Sequence, residues 1–388
     1  MKLSQKQRFV ALIAAVSAIV VVIVALMATS PEKAKNDESA SSGDRTDFSQ
    51  LPGRGAQVGK LAPEIVGISA WLNSQPIALN DLRGKVVLVD FWTYTCVNCV
   101  RTLPYLTEWH QKYAEKGLVI IGVHTPEFNF EREVKNVEAA TKRYGVMYPV
   151  ALDNARGTWD NYRTQFWPRK FLVDSKGIVR YDQIGEGRYT ATETQIKRLL
   201  AEVGSSVGDV PLVKDPDPGP LVAAQNVTPE LYAGSRGYFQ AQIGNVDQYN
   251  PFEAVDYRLP STLRRNLIYM NGFWQAGEEG IYHAREMPGY VDEIVVKYFA
   301  RSANAVISPQ GEVPFDVRIT FDGRPLPEHS RGKDVTVDAS GETVVRVREA
   351  RLYSLTSSPE IGEHEIRLSA KSKAFAIFAF TFGIGEQD

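Results

Sequence analysis

Cys96 and Cys99 are the only two cysteines in a chain of 388 residues. Their Cys-x-x-Cys spacing makes a dithiol that can close and open as a disulfide, chemistry that runs through a thiolate nucleophile. The preceding Lys85-Val-Val-Leu-Val-Asp-Phe-Trp92 is a continuous apolar run, as a strand buried on both faces would be. A short turn follows, and Cys96 opens a helix. A helix N-terminus presents unpaired N–H groups and a positive dipole end, both of which favour a thiolate. Cys96 is therefore expected to attack, and Cys99, one turn deeper on the same face, to resolve the mixed disulfide. Half a zinc site is the competing reading. It needs two further ligands, and His110, His124, His283, His329 and His364 are scattered along the chain. The expectation is a redox-active disulfide, with no metal and no other cofactor.

The elements that must position this pair alternate between strand and helix. After the Cys96 helix, with apolar Val100, Leu103, Leu106 and Trp109 a turn apart, Leu118-Val-Ile-Ile-Gly-Val123 reads as a second buried strand. Residues 130–144 read as an amphipathic helix and 148–152 as a short strand. Residues 171–184 read as a hairpin turning at Ser175-Lys-Gly177, and 190–203 as a closing helix. Pro104 sits inside the first helix and is expected to kink it. This order predicts an α/β layered domain over residues 59–204, with a central sheet flanked by helices. A Pro-rich linker over residues 205–220 contains Asp215-Pro-Asp-Pro-Gly-Pro220. Residues 221–388 then read as strands only, at about 238–243, 266–270, 291–299, 313–321, 343–347 and 374–382, which suggests a β-sandwich or jelly roll. Its aromatics Trp274, Tyr282, Tyr249 and Phe252 are candidates for a sugar-stacking platform or for ordinary core.

Compartment is read from the N-terminus. Residues 1–8 carry Lys2, Lys6 and Arg8, and residues 9–28 hold no charge. About twenty apolar residues are enough to span a bilayer. Positive charge before the span predicts a cytoplasmic N-terminus and a catalytic domain outside the cytoplasmic membrane, in the periplasm or an equivalent space. A cleaved signal peptide is the rival, but its apolar region is usually shorter, about 7–15 residues. Residues 29–58, polar and charged, read as a flexible tether. The formal net charge of -2 gives no global basic excess, so nucleic acid is not an expected partner.

The segment Val89-Asp-Phe-Trp-Thr-Tyr-Thr-Cys96-Val-Asn-Cys99-Val-Arg-Thr-Leu-Pro104 resembles the active-site region of the thioredoxin superfamily. Gly122-Val-His-Thr-Pro-Glu-Phe128, Thr228-Pro-Glu-Leu-Tyr232, Arg351-Leu-Tyr353 and Phe380-Thr-Phe-Gly383 extend the likeness to the extracytoplasmic TlpA-like and DipZ-like branch, including its C-terminal β-domain. The resemblance implies a thioredoxin fold and a thiol–disulfide oxidoreductase acting on disulfides of envelope proteins. Asp90 matches the buried acid that assists proton transfer at the resolving thiol, and burial should raise its pKa. Pro168, after Trp167, matches the cis-proline that pairs with substrate backbone. Trp92 matches the aromatic that shields the pair, and Thr95 lies beside it. His124 and Glu127 follow the end of a strand expected to run parallel to the one before the cysteines, so both are candidates near the site.

DipZ proteins carry a multi-helix electron-transfer module, whereas this chain has one apolar span. A separate membrane electron donor, of the DsbD or CcdA type, is therefore implied. Val97-Asn98 between the cysteines carries no cation, which leans toward reduction or isomerisation rather than strong oxidation. Two alternatives stay open. A thiol peroxidase would place a proline where Val89 stands, though Thr93 has the right offset from Cys96. A non-enzymatic envelope-binding module would use the β-domain, with carbohydrate as a candidate ligand.

Overall fold

The computed structural model describes residues 57–216, 226–235 and 242–384. The apolar run at 9–28 and most of the tether lie outside them. Among the described residues, no helix is long and apolar enough to cross a membrane.

The first domain is built on six strands: β1 (Ala70–Leu72), β2 (Val86–Trp92), β3 (Leu118–His124), β4 (Val150–Leu152), β5 (Arg169–Val173) and β6 (Val179–Ile184). Its helices are α1 (Val97–Tyr113), α2 (Val134–Arg143), α3 (Gly157–Asn161) and α4 (Tyr189–Glu202). The sheet order is β1-β4-β3-β2-β5-β6. β2, β3 and β4 run parallel, whereas β1, β5 and β6 join antiparallel. β2 is central and every one of its seven residues is buried, as its unbroken apolar run requires. Strand alternation divides those residues between two cores. Val86, Leu88 and Trp92 pack with Cys99, Leu103, Leu106 and Trp109 of α1. Val87, Val89 and Phe91 pack with Trp159, Tyr162 and Phe171 on the other face. Asp90 has the parity of Leu88 and Trp92, so it points toward α1.

The expected helix at 130–144 is shorter in the structure. A 3-10 turn (Asn129–Arg132) precedes α2, and Glu131 within that turn is fully buried. Pro104 lies inside α1. Part of the linker joins the fold, because Asp215 accepts hydrogen bonds from the Tyr189 and Thr190 amides at the start of α4.

The second domain is all β: β7 (Leu231–Tyr232), β8 (Ala254–Tyr257), β9 (Ile268–Ala276), β10 (Ile281–His283), β11 (Glu293–Ile307), β12 (Phe315–Phe321), β13 (Arg324–Pro325), β14 (Val335–Val337), β15 (Thr343–Val347), β16 (Arg351–Ala370) and β17 (Ala376–Gly383). The expected all-β character is present, and the hydrogen-bond ladder links every strand. All eleven strands join one continuous sheet. Long, bulged strands are the reason. β11 pairs with β9 through residues 293–296 and with β17 through 302–307, so it changes partner along its length.

The two domains meet on a small apolar seam. Phe378 of β17 packs edge-on against Phe128 and Phe130, with centroids 5.4 and 4.9 Å away. The Asn129 amide donates to Glu279 at 3.0 Å, and Arg143 pairs with Glu349.

Candidate active site

Cys96 caps the N-terminus of α1, and its Sγ accepts the Cys99 amide at 3.3 Å. It is partly exposed, whereas Cys99 is buried, and neither is in a disulfide. The spacing predicted this depth difference, since three residues of helix carry the second thiol one turn inward. Burial, together with the Cys96 sulfur beside it, pushes the Cys99 thiol well above its ordinary pKa. Cys99 in its resting state is therefore a protonated thiol.

Asp90 lies close enough for its charge to act on Cys99. It is 1% exposed. Burial raises its carboxyl to about 6, opposed by the charge of Lys170, whose Nζ lies 3.7 Å away. Lys170 is the register partner of Asp90 on β5 and is itself fully buried. Tyr148 lies close enough to feel the charges of both Asp90 and Cys99. Neither Asp90 oxygen, the Lys170 ammonium nor the Tyr148 hydroxyl has a hydrogen-bond partner among the described residues. The arrangement is a small cluster of buried polar groups in an apolar core. Lys170 and Tyr148 escaped the sequence reading, because a lone lysine after the proline and a tyrosine at a strand start carry no motif.

Trp92 is fully buried and meets His124 edge-on at 5.3 Å. Its indole also crowds Gly122, where an added Cβ would sit 2.9 Å from Nε1 of Trp92 and 3.2 Å from the Tyr148 ring. His124 is fully buried, stacked on Tyr94 at 5.6 Å, with Nε2 3.3 Å from the Thr93 hydroxyl. Burial lowers its pKa to about 3, so the ring is neutral. It therefore packs behind the active-site turn as a neutral support.

The Trp167–Pro168 peptide is cis. The pairing of Phe91 with Arg169 sets Pro168 level with Trp92, at the end of β2 from which the cysteine turn leaves. Trp167 is half-buried and stacks on Trp159 at 4.2 Å, with Arg156 over both rings. Arg169 behind it is locked to Asp182 by bonds of 2.9 and 2.8 Å.

Thr95 donates to the buried Glu131 at 2.5 Å. Glu131 in turn accepts the amides of Glu127 and Phe128 at 2.6 and 3.0 Å. Glu131 was missed in the sequence because it sits in a charged stretch that resembles the outer face of a helix. Glu127 is half-buried and accepts a 3.0 Å bond from the Tyr232 hydroxyl of the β-domain. The four candidate sugar-stacking aromatics do not form one platform. Trp274 is fully buried with its indole bonded to the Asn271 carbonyl, Tyr282 joins the interdomain seam, Tyr249 packs on the core, and only Phe252 is well exposed. Among the described residues, no three His, Cys, Asp or Glu side chains cluster in a way that could hold a metal.

Both domains match known protein families. Residues 57–200 match the Redoxin family, and residues 228–383 match the thioredoxin-like C-terminal domain family. The thiol-disulfide oxidoreductase ResA of Bacillus anthracis is 35% identical over 143 residues, covering 37% of this chain and 79% of that protein. The chain belongs to the thioredoxin superfamily of thiol–disulfide oxidoreductases. Protein DipZ of Mycobacterium tuberculosis is 35% identical over 334 residues, 83% of this chain and 43% of that protein, so the likeness to DipZ runs through both domains. The chain spans less than half the length of the DipZ proteins it matches. Human NHL repeat-containing protein 2 is 32% identical over 176 residues, 43% of this chain and 24% of that protein.

Proposed function

We propose that this superfamily member reduces or exchanges disulfides of envelope proteins outside the cytoplasmic membrane, with Cys96 as nucleophile and Cys99 as resolving thiol. The observation that carries the reading is the depth difference between the two sulfurs, with Asp90 beneath the inner one. The Cys96 thiolate attacks one sulfur of a substrate disulfide. A mixed disulfide forms, and the other substrate sulfur leaves as a thiolate that takes a proton from solvent. Asp90 then accepts the Cys99 proton. The Cys99 thiolate attacks Cys96 Sγ, the second substrate sulfur leaves, and the Cys96–Cys99 disulfide remains. Two electrons have passed to the substrate. Pro168, level with Trp92, would pair with substrate backbone, and Trp92 and Trp167 would shield the sulfurs. A reduced dithiol on a membrane carrier of the DsbD or CcdA type would reset the pair. The uncharged run at 9–28 supports the anchored, outward-facing placement.

The test is the reduction potential of the Cys96–Cys99 couple in glutathione buffers. A value near about −270 mV supports reduction, and a value near about −120 mV would make the protein a disulfide donor. In parallel, Cys99→Ser should accumulate substrate mixed disulfides and Cys96→Ser should accumulate none.

A further inference from the structure

The β-domain touches the first domain at a segment that also bonds Thr95, the residue before Cys96. We propose that Tyr232 of the β-domain is a positioning residue of the redox centre, holding the Glu127–Glu131 segment that brackets the turn before Cys96. This inference deepens the oxidoreductase reading above and rests on it.

The connection can be followed bond by bond. The Tyr232 hydroxyl donates to Oε1 of Glu127 at 3.0 Å. The Glu127 amide donates to Oε2 of Glu131 at 2.6 Å, joined by the Phe128 amide at 3.0 Å. The other oxygen of Glu131 receives the Thr95 hydroxyl at 2.5 Å. Thr95 is the residue before Cys96, and Cys96 is the cap of α1. Where Thr95 sits therefore decides where the first amides of α1 point, and those amides stabilise the attacking thiolate. Glu131 is fully buried and Thr95 is 1% exposed, so their bond has little water to compete with it.

The apolar half of the same contact restrains the segment. Phe128 is 4% and Phe378 3% exposed, and Phe128 stacks on Phe130, which in turn packs on Tyr94. The groups facing Glu127 are Tyr232 and Glu230 from the β-domain, and Glu131 and Arg156 from its own domain. Burial and the two neighbouring acids push its carboxyl well above the ordinary range, against the Tyr232 hydroxyl and the Arg156 charge.

The experiment uses the full chain. In a Cys99→Ser background, the rate of Cys96 alkylation by iodoacetamide is followed against pH, with and without Tyr232→Phe, which keeps the ring and removes only the hydroxyl. Loss of one such hydrogen bond is expected to move the alkylation midpoint upward by about 0.5–1 unit, equivalent to about a three- to tenfold loss of thiolate. Thr95→Val should give a shift in the same direction. The double variant should shift less than the sum of the two, because both act through one bracket. Glu127→Gln supplies the same readout should Tyr232→Phe fail to fold. An unshifted midpoint in the hydroxyl-deleted chain, or strict additivity with Thr95→Val, overturns the inference. A parent chain that forms no Cys96–Cys99 disulfide in glutathione buffer overturns the redox reading, and this inference with it. A parent that forms the disulfide, beside a Tyr232→Phe chain with the parental profile, removes this inference alone.

Discussion

Replacing Asp90 by Asn should make the protein more stable and less active, and both effects should depend on pH in a defined way. The Asp90 carboxyl is raised from 3.8 to about 6 by burial. An acid raised in this way is easily buried while protonated and costly once ionised. The sign follows from linkage. Below pH 4 both folded and unfolded chains hold the proton, so there is no penalty. Between pH 4 and 6 the unfolded chain ionises and the folded one resists, so stability falls as pH rises. Above pH 6 the penalty is complete, about 2 units or roughly 3 kcal/mol at 1.36 kcal/mol per unit. Asn cannot ionise, so Asp90→Asn should gain about 2–3 kcal/mol relative to wild type between pH 4 and pH 7.5. Comparing the two pH values cancels the constant cost of burying an amide, and every other titrating group is common to both chains. Denaturant unfolding at the two pH values measures the gain. The same variant should slow release of a preformed mixed disulfide by about 10²–10⁴-fold, the usual range for a positioned general base. A stability difference independent of pH would show that the carboxyl is not held up by burial. An unchanged release rate would show that Cys99 loses its proton elsewhere.

Further outcomes follow from neighbouring groups. Lys170→Met removes the cation that holds Asp90 down, so the midpoint of mixed-disulfide release should move to higher pH, as read by stopped-flow mixing across a pH series. His124 is buried neutral with its pKa lowered to about 3. It therefore costs nothing above pH 6.5, and stability is lost as pH falls below that value. His124→Asn should flatten the unfolding free energy between pH 6.5 and 4.5 by about 2–3 kcal/mol. Gly122→Ala places a methyl against the Trp92 indole and the Tyr148 ring, and should cost about 1–3 kcal/mol in denaturant unfolding while altering Trp fluorescence. Glu131→Gln keeps the size but weakens the Thr95 bond, and should slow Cys96 alkylation more than it lowers stability.

The sequence exposed what depends on short spacing and continuous pattern. The spacing of Cys96 and Cys99 announces their difference in depth, one helical turn apart. The apolar run at 86–92 announces a central strand, and Asp90 stands out because a charge in such a run needs a purpose. The strand at 343–347 was equally legible, being flanked by turn residues. β16 was not legible. Its twenty residues include Pro359, Glu360, Gly362, Glu363 and Glu365, which break the apolar alternation of a strand. In the fold, Ser302 pairs with Ser357 while Ala300 pairs with Gly362, so Pro359 and Glu360 fall in a bulge and the ladder continues on either side.

By itself the sequence determined a dithiol at a helix start and a lone acid in the apolar strand before it. These are local facts, set by side-chain type and by a spacing close to one helical turn. Only the tertiary structure decided what surrounds that chemistry. Lys170 meets Asp90 because an antiparallel register brings β5 beside β2. Tyr232 meets Glu127 across 105 residues of chain. Contacts of that kind depend on strand register and domain packing, which close over long loops and leave no periodic trace in the order of the residues.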